Sequence, residues 1–265
     1  MSSDLKKPKV VILAGGMGMR LREETEYKPK PMVQIGPYPI LWHIMKTYMH
    51  YGFEDFVICL GYKGEMIKEY FLNYEPINND FTLEYGKTSR INIHQTGNHE
   101  PFKVTLVDTG SDTLTGGRMK QIEKYIDGEN FMMTYGDGVA NINISDLYKF
   151  HMSHGKLATV TGVHPESRFG ELMVNEGLVT DFSEKPQITE GLINGGFFVL
   201  NKKVFSYIDS KDCFFEQEPM KKLTKEKQLM VYKHDDFWRC MDTMRDVKQL
   251  NDLWDTGRAP WKIWK

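Results

Sequence analysis

With 265 residues, the chain has the length of one large α/β domain and apolar content ample for its core. A formal net charge of −2, from 34 basic and 36 acidic side chains, excludes the broad basic excess on which general nucleic-acid or anionic-membrane binding depends, so any cationic site is local. Cys59, Cys213 and Cys240 lack the number and spacing of a disulfide framework or a structural zinc site, and they fit a reduced, cytoplasmic setting.

The start is polar and lysine-bearing, without an apolar leader, and residues 1–8 are expected to be flexible. No run of about 18 apolar residues follows, so no membrane partner is expected. Val10 to Leu13 form an unbroken apolar run that ends at glycines, the pattern of a parallel strand buried on both faces and feeding a tight loop. Around that loop stand Leu13, Ala14, Gly15, Gly16, Gly18 and Met19. The glycines lack the Cβ atoms that would keep a ligand off the backbone, and they permit positive φ angles that aim successive N–H groups at one anion. Arg20 adds a forked cation. Lys30, between Pro29 and Pro31, is expected on a stiff, extended arm. A glycine nest with one Arg and one Lys suits a polyphosphate, although glycines alone also describe an ordinary strand-turn. A Walker loop is excluded because Gly-Lys-Ser/Thr is missing, and a dinucleotide fingerprint because Leu21 stands where its third glycine belongs.

Apolar spacing predicts a helix over 40–51, a buried strand over 56–60 and a helix over 64–73. This alternation is the doubly wound α/β pattern, whose ligands bind beyond the carboxyl ends of the strands. Residues 74–103 read as an excursion of small strands or a flap, with His94 and His99 as surface histidines. A strand over 104–107 leads to Thr113 and then to Thr115-Gly116-Gly117-Arg118, which opens a helix. The strand 131–134 runs into Tyr135-Gly136-Asp137-Gly138. A carboxylate between two glycines packs against little and suits a hard cation held by one or two carboxylates plus phosphates. Ser145 is a plausible N-cap for the next helix.

A strand over 158–163 and a hairpin over 169–174 and 178–182 follow, then Glu184-Lys185-Pro186, where a lysine again precedes a proline. Asn194-Gly195-Gly196 opens an apolar run over 197–200. Short helices are expected over 205–208 and 219–223, and a strand over 229–232. Asp242 stands just before a helix bearing Val247, Leu250 and Leu253, and Trp254, Trp261 and Trp264 anchor the tail to its own domain or a neighbouring subunit. A single domain over 9–265 is expected, with 236–265 as a carboxyl-terminal helical portion.

The run Leu-Ala-Gly-Gly-x-Gly-x-Arg-Leu at 13–21, followed by Pro-Lys-Pro-Met at 29–32, resembles the signature of the sugar-1-phosphate nucleotidylyltransferases. The resemblance implies a mostly parallel, Rossmann-like sheet and a nucleotide pocket that includes Gly136. Thr-Gly-Gly-Arg at 115–118 is similar to the cytidylyl branch and makes Thr113 and Arg118 base-side candidates. Glu-Lys-Pro and Asn-Gly-Gly resemble the sugar-phosphate half of that family's site, which implies Glu184, Lys185, Asn194, Gly195 and Gly196 there. The same resemblance implies Mg²⁺ between Asp137 and Asp242, with Arg20, Lys30 and Lys185 as the catalytic cations.

Flanking text at 43–46, 107–110 and 259–262 is most similar to the branch that joins CTP and glucose 1-phosphate into CDP-glucose and pyrophosphate, as a homo-oligomer. One departure is Met19, where the family commonly carries Thr. Two alternatives stay open in the sequence: the same chemistry on another nucleotide or sugar, and a protein that binds nucleotide-sugars without turning them over.

Overall fold

The computed structural model describes residues 7–86, 89–94, 101–165, 171–175, 178–183 and 191–264, with 171–175 and 178–183 described by their backbone. In chain order the elements that position the site are β1 (Val10–Leu13), α1 (Ile40–His50), β2 (Asp55–Leu60), α2 (Gly64–Leu72), β3 (Lys103–Asp108), α3 (Thr115–Ile122), β4 (Asn130–Tyr135), β5 (Gly138–Ala140), α4 (Ile144–His154), β6 (Ala158–Val163), β7 (Ile193–Asn201), α5 (Glu218–Lys225), β8 (Leu229–His234), β9 (Trp238–Cys240) and α6 (Met244–Asp255). Seven strands form one sheet in the order β8-β6-β7-β4-β1-β2-β3. β1 lies parallel to both neighbours, with Val10 opposite Phe56 on one side and Met132 on the other. β7 alone runs against its neighbours, pairing antiparallel with β4 and β6.

The central strands β1 and β2 are almost continuous apolar runs because both of their faces pack on helices. Val10, Ile12, Phe56, Ile58, Met132, Phe197 and Val199 face one layer, which Ile44 and Tyr48 of α1, Leu147 of α4 and Leu250 of α6 complete. The alternate residues Val11, Leu13, Val57, Cys59, Met133, Phe198 and Leu200 face Met119 and Ile122 of α3 and Leu223 of α5. Each such side chain contributes about 1.5–3 kcal/mol by leaving water, so register is fixed wherever both faces are buried. The chain is a doubly wound, mostly parallel α/β protein.

The carboxyl-terminal residues dock on this frame. Trp261 is fully buried and donates from Nε1 to His43 Nδ1 at 3.3 Å, while His43 Nε2 donates to the Ile35 carbonyl at 2.9 Å. The tryptophan tail is therefore anchored on its own chain.

Two local expectations change, and the expected small strands of the excursion are present with a short helix before them. Asn143, not Ser145, caps α4, its side chain accepting from Asp146 N at 3.1 Å. Lys30 does not ride an extended arm: Pro29 is extended, but Lys30–Met32 close a 3₁₀ turn whose Met32 and Val33 amides bond back to Pro29 and Lys30. The excursion after α2 contains a short helix, Tyr74–Asn78, and an exposed antiparallel pair, Asp80–Glu84 with Arg90–His94. Among the described residues no helix is long and apolar enough to cross a membrane.

Candidate active site

β1, β2, β3 and β4 all end at one edge of the sheet, and the antiparallel β7 begins there. The edge opens into a cleft of about 810 Å³. Leu13, Ala14, Gly15, Gly16, Gly18, Met19, Arg20, Lys30, Thr113, Arg118, Gly136, Asp137, Asn194, Gly195, Gly196 and Asp242 all line it. Glu184 and Lys185 lie outside the described residues.

The glycine loop is built differently from its sequence expectation. Only Gly18 takes a positive φ, at 64°, and its α-carbon turns against Thr25 and the Lys30 stem. Gly15 is required by a neighbour instead: a Cβ there would stand 2.1 Å from Arg118 Nη1. Arg118 is 3% exposed, and its guanidinium is a strut under the loop rather than an exposed base-reading fork. Nη1 donates to the Leu60 carbonyl, Thr109 Oγ1 and the Gly110 carbonyl, and Nη2 donates to the carbonyls of Gly15 at 2.9 Å and Ser111 at 3.1 Å. One buried cation thus ties the ends of β1, β2 and β3 together. The pair Gly116-Gly117 also serves packing, since Cβ atoms there would strike Cys213 and the Lys211 carbonyl.

Opposite this loop, residues far apart in the chain form a charge cluster. β5 pairs antiparallel with β9, and Met241 N donates to the Asp137 carbonyl at 2.8 Å, which brings Asp242 beside Asp137. Lys30 Nζ lies between them, 2.7 Å from Asp137 Oδ2 and 2.5 Å from Asp242 Oδ1. Arg20 Nη1 reaches Asp242 Oδ2 at 2.7 Å from a side chain 71% exposed. Burial opposes the Lys30 ammonium, but the Asp137 charge and bonds from both carboxylates carry its pKa above the ordinary lysine value. For Asp242, burial opposes ionisation, and the Lys30 bond with the Lys30 and Arg20 charges holds its pKa below the carboxylate norm.

Asp137, Asp242 and Cys240 offer ligand atoms within 4.8 Å of one another. Two carboxylates at this separation, already holding one ammonium between them, fit a hard divalent cation. Burial and the Asp137 charge push the Cys240 thiol upward, so it remains protonated beside them.

On the other side, Gly195 presents its carbonyl to Trp238 Nε1 at 2.7 Å, and Gly196, at φ 80°, lies under the Tyr135 ring. Asn194 is exposed to the cleft, its Oδ1 accepting from Gly196 N at 2.8 Å. Sequence reasoning missed Tyr135, Trp238 and Cys240 as cleft residues. Tyr135 ends a strand next to the nominated Gly136-Asp137, so position at a strand terminus was the available signal. Trp238 and Cys240 carry no motif of their own and reach the cleft through β9.

A family model for nucleotidyl transferases matches residues 9–260. A glucose-1-phosphate cytidylyltransferase of Salmonella typhimurium is 51% identical over 258 residues, spanning 97% of this chain and 100% of that protein. A mannose-1-phosphate guanyltransferase of Saccharomyces cerevisiae is 30% identical over 96% of this chain and 68% of that protein. Among solved structures, the inositol-1-phosphate CTP transferase from T. maritima aligns with a TM-score of 0.65 at 17% identity, over 97% of this chain and 98% of that one, a likeness of fold.

Proposed function

The chain belongs to the nucleotidyl transferase family, and from that premise we infer that it transfers a cytidylyl group from CTP to α-D-glucose 1-phosphate, giving CDP-glucose and pyrophosphate. One observation carries the reading beyond family membership. Lys30, Asp137 and Asp242 come from three distant segments and meet within 2.7 Å contacts in the cleft that the glycine loop and Asn194–Gly196 also line.

The chemistry asks little of acid–base groups. A phosphate monoester has a second pKa near 6, so the attacking oxygen is largely ionised at neutral pH. The barrier is the approach of two anions, and positioning with charge neutralisation lowers it. Arg20 and Lys30 supply positive charge beside the glycine loop, whose amides receive the triphosphate. Asn194, Gly195 and Gly196 receive the sugar, with Glu184 and Lys185 assigned to the same half by sequence. Asp137 and Asp242 would hold Mg²⁺, which when bound neutralises phosphate charge and organises the triphosphate. Thr113 is retained as a base-side contact. Arg118 serves the nucleotide by fixing the loop from beneath.

A homo-oligomer in the cytoplasm belongs to the same proposal. The pair Asp80–Glu84 with Arg90–His94 exposes Phe81 (44%), Leu83 (40%) and Ile91 (54%), apolar side chains of the kind subunits cover. Light scattering after size exclusion reads the oligomeric state. Incubation with each of four nucleoside triphosphates, glucose 1-phosphate and Mg²⁺, with product identification, tests the reaction. CDP-glucose with CTP supports the reading, and no nucleotide-sugar from any triphosphate refutes it.

A further inference from the structure

Behind the sugar side of the cleft runs a chain of hydrogen bonds anchored on Glu216, a half-buried residue just ahead of α5. Its Oε1 accepts from the Tyr135 hydroxyl at 2.5 Å and its Oε2 from Thr115 Oγ1 at 2.6 Å. Thr115 Oγ1 itself accepts from Phe215 N at 2.9 Å, so its single proton is committed to the carboxylate. At the other end the Tyr135 oxygen accepts from Asn194 Nδ2 at 3.3 Å.

This chain has a direction. An ionised carboxylate only accepts, so the Tyr135 proton faces Glu216 and the phenol can offer Asn194 only lone pairs. Asn194 then turns its amino group to Tyr135, and the Gly196 N–H, which can only donate, holds the carbonyl at the other end, the arrangement present. The Tyr135 ring cannot swing away, because it packs on Gly196, where even a Cβ would come within 2.7 Å. One Nδ2 hydrogen and one Oδ1 lone pair are left over on a side chain exposed to the cleft. A donor and an acceptor of fixed order discriminate among sugar hydroxyl patterns, and an amide free to flip does not.

We propose that Glu216 is a positioning residue which, through Tyr135, fixes the amide orientation of Asn194 and thereby sets the enzyme's preference for its sugar phosphate. The proposal rests on the assignment of Asn194 to the sugar-phosphate half. Leucine at 216 gives neither hydroxyl an acceptor, so the Tyr135 proton is free to turn and the direction of the chain is lost, whereas glutamine keeps it with Oε1 on Tyr135 and Nε2 on Thr115.

The test measures KM for CTP and for glucose 1-phosphate, with galactose 1-phosphate as competitor, in wild type, Glu216→Leu, Tyr135→Phe, Thr115→Val, Asn194→Ala and the double variant Glu216→Leu/Asn194→Ala. Glu216→Leu and Tyr135→Phe each raise KM for glucose 1-phosphate about tenfold, leave KM for CTP within about twofold and narrow the preference over galactose 1-phosphate. The double variant is no worse than Asn194→Ala, because Glu216 acts through that residue.

Additive losses, a parallel rise in both KM values, or the same defect in Thr115→Val overturn the proposal, the last because it leaves only a scaffold for the 211–217 loop. Thermal melting reports folding, and Tyr135→Phe carries the same test should Glu216→Leu melt early. A wild-type chain that does not turn over glucose 1-phosphate overturns the underlying reading and the proposal with it. Wild-type turnover with additive losses overturns the proposal alone.

Discussion

Lys30→Met replaces the ammonium at the centre of the cluster with an apolar chain of similar length, leaving Asp137 and Asp242 facing one another. The cation removed makes contacts of 2.7 and 2.5 Å, and the three side chains are 9%, 26% and 13% exposed for Lys30, Asp137 and Asp242. With carboxylate oxygens within 4.8 Å, an effective dielectric near 20 gives about 3 kcal/mol of repulsion in place of two attractions. Arg20 still holds Asp242 and part of Asp137 is wet, which offsets some of the 3–5 kcal/mol expected for breaking a buried pair. A net loss of about 3 kcal/mol lowers Tm by roughly 5–10 °C in a domain of this size. Millimolar Mg²⁺ should then restore more stability to the variant than it adds to wild type. In wild type a divalent cation competes with the Lys30 ammonium for the same oxygens, whereas in the variant it relieves repulsion. Thermal melting with EDTA and with Mg²⁺ reads both effects, and cytidylyl transfer falls in parallel. A variant that melts within about 1 °C of wild type in EDTA, or Mg²⁺ shifts that favour wild type, would refute this account of the cluster.

Acid should weaken the fold through two buried histidines. Burial lowers His43 to about 4, against the raising effect of its backbone bonds, and lowers His151 to about 4 with His154 assisting. The unfolded chain binds these protons near 6.5, so their contribution is complete above that pH and is lost as pH falls toward 4, by about 3 kcal/mol per histidine. Urea midpoints that stay level from pH 7 to 4.5 would contradict this. Burial raises the Cys59 thiol to about 12 with Arg118 opposing, so iodoacetamide at pH 8 should leave Cys59 unlabelled in the native protein and label it in denaturant, as read by mass spectrometry. Arg118→Lys keeps the charge and loses the fork that spans the Gly15, Leu60 and Gly110 carbonyls. It should cost about 2–3 kcal/mol in denaturation and raise KM for CTP about tenfold. Unchanged values for both would remove the strut.

The strands were legible because burial on both faces leaves uninterrupted apolar runs, and β1, β2, β4 and β6 fall within a residue of their expected limits. The cleft was legible to the extent that its residues sit at strand ends, where a doubly wound sheet puts ligands. What escaped the sequence was the purpose of individual residues. Gly15 read as ligand-facing, yet it makes room for a guanidinium, and Gly116 and Gly117 make room for the loop at 211–213. A glycine reports that something approaches closely, and sequence does not say from which side. Arg118 read as a base contact because Thr-Gly-Gly-Arg resembles the cytidylyl branch, but its side chain turns inward to carbonyls whose positions depend on three strands. Glu216 was invisible for a related reason: its partners, Tyr135 and Thr115, are 81 and 101 residues away.

Strand direction explains how one edge can hold both halves of a bisubstrate site. Parallel strands alone would bring only carboxyl ends to this edge, and their loops would supply every contact. Reversing β7 brings an amino end there instead, with Phe197 opposite Thr134 in β4. Asn194–Gly196 and Gly136–Asp137 thereby extend from the same end of one ladder, which places the proposed sugar contacts beside the strand that leads to Asp137. That register is in turn enforced by Phe197 and Val199 on one face and Phe198 and Leu200 on the other. A slip of one residue would exchange the two pairs between differently shaped cores and move Asn194 to the opposite face of the sheet. In the proposed site, the alignment of the two reactants thus depends on the strand pairing that these two cores hold in place.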